Sequence, residues 1–146
     1  MKKAAVAFVL ATASVLAMAQ ATPAGLWKTI DDDGTTEKSL VRIVNSGGVL
    51  SGKVEKITDP AKANEKCVKC EDDRKDKPII GMTIISGAKQ DPEESDKWTG
   101  GVILDPAKGK IYKLTLKLED GGKKLDVHGY IGFSLIGRSQ EWVRAE

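Results

Sequence analysis

Apolar and polar residues alternate along most of the chain. Tyr112, Leu114, Leu116 and Leu118 alternate with Lys113, Thr115, Lys117 and Glu119. Leu125, Val127 and Gly129 alternate with Lys124, Asp126 and His128, and Leu50, Gly52 and Val54 with Ser51, Lys53 and Glu55. A period of two is that of a strand with one face buried. Between such runs stand Asn45-Ser46-Gly47-Gly48, Asp105-Pro106-Ala107-Lys108-Gly109 and Asp120-Gly121-Gly122. Gly supplies positive φ, Pro fixes φ at a corner, and Asn or Asp bonds back to the backbone, so each run reads as a hairpin turn. The pattern predicts strands over 25–30, 38–45, 48–57, 79–87, 97–104, 109–118, 123–130 and 134–143. Successive antiparallel strands must hide their edges. The expected fold is therefore all-β, an eight-stranded antiparallel up-and-down barrel, with a two-sheet sandwich as the alternative. Gly100-Gly101, Gly129, Gly132 and Gly137 interrupt strand patterns, as barrel bends or as ordinary bulges.

The front of the chain breaks this pattern. Lys2 and Lys3 precede an apolar run from Ala4 to Leu16, followed by Ala17-Met18-Ala19. A basic start, an apolar stretch and a small-residue site read as a signal peptide over 1–19, cleaved after Ala19. The run is short of the roughly 20 residues a bilayer span needs. Residues 20–146 are then a single exported domain, periplasmic or secreted. The 146-residue chain holds 23 basic and 21 acidic residues, and two of the lysines lie in the expected signal. The remainder is balanced, which argues against a uniformly basic nucleic-acid or membrane anchor. The few aromatics do not interleave with a basic patch, so stacking on single-stranded nucleic acid is not expected.

One predicted link stands apart. Residues 58–78 carry six acids and six bases, together with Cys67 and Cys70. A link of that length in a compact domain is functional, ordered by a constraint, or disordered. Export favours a Cys67–Cys70 disulfide that orders the loop. A ring so small stabilises by only about 2 kcal/mol. Thiol redox chemistry is the alternative, with Lys66 and Lys69 available to lower a thiol pKa, but no βαβ surroundings are visible. A metal site lacks ligands, since the lone His128 is far along the chain. No metal and no cofactor are expected.

The remaining polar clusters read as surface. Asp31-Asp32-Asp33-Gly34 with Glu37 lacks the alternate-position spacing of a calcium loop. His128 and Asp126 share a strand face, with Ser134 and Ser139 nearby, but no nucleophile elbow accompanies them. No Gly-rich phosphate loop opens a helix. Trp27 opens the first strand, where it is expected to plug one end of the barrel beneath Arg138 or Arg144, a cation–π contact worth about 0.5–2 kcal/mol.

Gly25-x-Trp27 with a turn at Gly47-Gly48 and then Gly52 resembles the opening of calycin barrels such as lipocalins and avidins. Further segments are similar to a family of secreted bacterial proteins, domain of unknown function 2147. They are Cys67-x-x-Cys70, Lys77-Pro78-Ile79-Ile80-Gly81, Trp98-x-Gly100-Gly101-x-Ile103-x-Asp105-Pro106, Gly109-Lys110-x-Tyr112, Gly129-Tyr130-x-Gly132, and Leu135-x-Gly137-Arg138-x-Gln140-x-Trp142. The likeness spans Gly25 to Arg144 and implies an exported calycin-like barrel with no established activity. Calycins often hold small apolar ligands. The expected interior lining is Leu50, Val54, Val102, Leu104, Tyr112, Leu114, Leu116 and Leu125, with the Cys67–Cys70 loop partly over one mouth. A non-catalytic envelope interaction protein and a thiol protein are the alternatives.

Overall fold

The structure, a computed structural model, describes residues 4–5, 7–11 and 21–146. The expected cleavage point after Ala19 lies outside the described residues. Eight strands follow in order: β1 (Gly25–Ile30), β2 (Glu37–Ser46), β3 (Val49–Ile57), β4 (Thr83–Gln90), β5 (Lys97–Asp105), β6 (Lys110–Glu119), β7 (Lys124–Tyr130) and β8 (Gly137–Arg144). Each pairs antiparallel with the next, and β8 returns to β1 to close the barrel. The seam is short, with Trp27 opposite Arg144 and Lys28 opposite Val143.

Two expected strand starts move by three residues or more. The strand expected from residue 79 starts at Thr83. Ile79 donates its backbone N–H to the Glu65 carbonyl, and Gly81, at φ 89°, donates to Val54, so this stretch belongs to the preceding link. The strand expected from residue 134 starts at Gly137.

In such a meander the links alternate between the two ends. The β1–β2, β3–β4, β5–β6 and β7–β8 links share one end, here called the mouth. The other end is closed by Trp27, whose indole N–H donates to the Pro23 carbonyl at 2.8 Å. Arg144 lies 4.3 Å above the Trp27 ring. Its guanidinium donates to the carbonyls of Gly122, Ala24 and Thr22 at 2.7, 2.9 and 2.7 Å. Partial burial pulls this guanidinium below its ordinary pKa. The clamp explains Gly25: a β-carbon there would sit 2.6 Å from Arg144 Nη1, at a φ of +133°. Arg144 is thus the partner of Trp27. Arg138 is not at that end, contrary to expectation; β8 carries it to the mouth, where it pairs with Asp32 at 2.9 Å.

The inward faces of the strands meet in one buried cluster that includes Trp27, Val41, Ile43, Leu50, Ile85, Leu114, Leu116, Leu125 and Trp142. The expected interior residues Leu50, Val54, Leu114, Leu116 and Leu125 all belong to it. Packing is tight around Gly52, where an added methyl would lie 3.1 Å from the Ile85 β-carbon. Tyr112 shares the face of Leu114 and sits nearer the mouth. Val102 does not face inward and is 39 % exposed. Between Trp98 and Gly101 the β5–β6 register slips, with Gly100 at φ 76°. This bulge reverses the alternation. Gly101 and Ile103 now oppose the inward Leu114 and Tyr112, whereas Val102 opposes the outward Lys113. Leu104 follows Val102 onto the outer face but is 2 % exposed.

Candidate functional site

The mouth is dominated by the long link between β3 and β4. Its shape comes from its own hydrogen bonds. Cys67 donates its N–H to the Lys77 carbonyl and accepts at its own carbonyl from Asp76, both at 2.9 Å. A bridge joins Lys66 to Pro78. Cys67 and Cys70 form a disulfide with their α-carbons 5.4 Å apart. Both are buried in the same cluster as Leu104.

The link lies against the β5–β6 hairpin. Cys67 Sγ is 3.5 Å from the Pro106 carbonyl oxygen. At Gly109 the two backbones approach so closely that a β-carbon would fall 2.0 Å from the Lys69 carbonyl oxygen. The disulfide thus fixes a flap seated on one side of the mouth. A reactive thiol needs access to its partner, whereas Cys67 is 0 % exposed.

Two concavities flank this flap. The first, about 580 Å³, is lined by residues that include Asp72, Arg74, Lys77, Ile80 and Thr83. One pair of its charges is tied together. Arg74 donates to both carboxylate oxygens of Asp72, at 2.5–3.1 Å, and to the Thr83 carbonyl at 3.0 Å. The Arg74 hydrogen bonds hold the Asp72 carboxyl down at about 2. The second concavity, about 540 Å³, has another character. Leu104, Ile111 and Ile131 give it apolar walls, and Lys108, Lys110, Glu71 and Asp72 surround them. An apolar surface with a few convergent charges in this size range is what a small-molecule site offers.

Most of these residues escaped the sequence reading. Ile111 carried a signal: it falls out of phase with Tyr112 and Leu114, on the face shared with Lys113 and Lys117. Leu104, expected in the interior, does belong to the buried cluster at 2 % exposure, but it reaches it from the outer face of β5, beneath the flap, and its edge borders this concavity.

The other polar clusters resolve as surface ties. The three aspartates form the β1–β2 turn, where Asp33 accepts from the backbone of Thr35 and Thr36 and from the Thr36 hydroxyl. These bonds, the Thr36 hydroxyl first, hold its carboxyl at about 2. Among the described residues, no group of three or more His, Cys, Asp or Glu side chains is arranged to hold a metal ion. His128 does meet Ser139, Nδ1 to Oγ 2.8 Å, and its Nε2 meets the Ser134 carbonyl at 2.6 Å. A carbonyl only accepts, so Nε2 carries the proton and the ring braces the β7–β8 link.

A family model described as an uncharacterized protein conserved in bacteria, DUF2147, matches residues 25–144. No curated protein matches the chain. Among solved structures, the chain is similar to protein HP1028 from the human pathogen Helicobacter pylori, described as belonging to the lipocalin family. The identity is 17 % and the TM-score 0.74, over 86 % of this chain and 84 % of that one. The likeness is one of fold, a lipocalin-like barrel.

Proposed function

The chain belongs to the DUF2147 family, and from that premise we propose that it is an exported binding protein that holds a small apolar ligand at the mouth of its barrel. The observation that carries the reading is the concavity of about 540 Å³ between flap and hairpin. Ile111 and Ile131 offer contact to an apolar body over the buried Leu104, and Lys108 and Lys110 stand where an anionic group would be paired. The lipocalin-like fold supports the reading at the level of architecture only. The tight packing around Gly52 favours the mouth over the barrel interior. Export rests on the basic-apolar-small pattern of residues 1–19.

The test is titration of the mature chain with anilinonaphthalene sulfonate, an apolar ring system bearing one anion. Saturable fluorescence is expected, lost in Ile111→Asp and weakened in Lys108→Glu/Lys110→Glu. Equal fluorescence in all three chains overturns the reading. Native mass spectrometry of protein purified from the producing cell's envelope then asks which molecule co-purifies. Amino-terminal sequencing of the same material is expected to begin at Gln20.

A further inference from the structure

The exposed large apolar side chains of the barrel are not spread evenly. Val68, Ile80, Ile111, Ile131, Phe133, Leu135 and Ile136 all lie at the mouth, on three different links or their borders. The β7–β8 link is the extreme case. Ile131, Phe133, Leu135 and Ile136 are 66, 78, 96 and 68 % exposed. Side chains this free in water call for an occupant.

We infer that the β7–β8 link is a membrane-docking tip, inserted by its apolar side chains into the interfacial layer of a lipid bilayer. Three observations select a bilayer. The run Ile131-Gly132-Phe133-Ser134-Leu135-Ile136 contains no charge. Its backbone is partly satisfied from within, as a hydrocarbon environment demands: His128 holds the Ser134 carbonyl, and Ile136 N–H donates to the Phe133 carbonyl at 3.0 Å. Tyr130, stacked on His128 at 5.6 Å, sits just behind the tip, with an amphipathic ring suited to headgroup depth.

Charge plays the smaller part. The mouth carries acids such as Asp31, Glu71 and Asp72 as well as Lys66, Lys69, Lys108 and Lys110. Docking is therefore driven by apolar burial and is insensitive to salt. The inference goes beyond ligand binding and does not depend on it. Because Ile131 both opens the tip and lines the concavity, a docked tip would set that concavity against the bilayer surface.

The test is flotation of the mature chain with phosphatidylcholine vesicles, with and without phosphatidylglycerol, at low and high salt. The chain is expected to float with both compositions at both salt levels. Phe133→Ser/Leu135→Ser should lower the bound fraction by at least about tenfold, since each large apolar side chain buried is worth that factor or more. Val44→Ser, on an exposed apolar residue outside the mouth, is expected to float as the parent does. Both altered sites are exposed, so an unchanged melting temperature confirms folding. The inference is overturned if the parent chain stays in the dense fraction, or if the double variant floats equally. It is also overturned if light scattering shows a dimer that the double variant dissolves, which would assign the tip to a second copy. Vesicle binding by a chain that binds no fluorescent anion would sink the ligand reading and leave this one standing.

Discussion

Replacing Gly109 by alanine should unseat the flap. The residue sits at φ +65°, and a β-carbon there would lie 2.0 Å from the Lys69 carbonyl oxygen and 2.9 Å from the Cys70 nitrogen. The obstacle is backbone, so no rotamer change relieves it. Left-handed backbone costs a non-glycine residue about 1–2 kcal/mol, and forcing atoms into a packed contact about 1–3 kcal/mol more. The second cost is removed if the flap lifts off the hairpin. A local bias of that size raises the open population about 5–150-fold. The disulfide is buried when the flap is seated. Its reduction rate follows the open population when opening is fast. Gly121→Ala is the control, because it has a similar φ of +62° and nothing within 4 Å of its β-carbon. Both variants should melt lower. Only Gly109→Ala should be reduced faster by a phosphine reductant, by about fivefold or more, as followed by alkylation and mass measurement. Reduction of Gly109→Ala at the parent rate, with a melting loss equal to that of Gly121→Ala, would refute the seated flap.

Further tests address the barrel and its charges. Leu114→Ala should lose about 2–5 kcal/mol in denaturant unfolding, whereas Val102→Ser should stay within about 0.5 kcal/mol, the reverse of what unbroken alternation along β5 implies. Arg144→Gln keeps a donor but loses the cation over Trp27 and part of the carbonyl clamp, so a melting loss with a shifted tryptophan emission is expected. Asp72 and Asp33 are both held near 2, below the ordinary 3.8. Depressed carboxylates contribute stability above 3.8 that is lost as pH falls from there toward 2. Melting temperature should decline through that window, and Arg74→Gln should make the decline shallower.

The barrel itself was legible because alternation in β3, β6 and β7 is a one-dimensional record of which face is buried. The same rule failed at β5 for a physical reason. One extra residue at the Gly100 bulge reverses every side chain after it, and composition does not reveal the slip. The expected strand from residue 134 failed differently. Leu135 and Ile136 have the apolar character of a buried strand, yet they stand in water on a turn. The concavity was invisible because it is made by segments distant in sequence. Glu71 and Asp72 meet Leu104, Lys108 and Ile131 only after the flap lands on the hairpin. Trp27 with an arginine was legible as a pair, but choosing Arg144 over Arg138 required knowing at which end β8 finishes.

The seam between β1 and β8 joins the first strand to the last. Its partners are among the most remote in the chain, so the loop entropy of closure is met late in folding. A polypeptide synthesised amino terminus first cannot complete this ring until its final residues have been added. Until then β1 presents an unpaired edge, and Trp27 lacks the arginine that covers it. Assembly is therefore coupled to completion of the whole chain, and carboxy-terminal truncations that remove Val143 and Arg144 should trap species that associate through that edge.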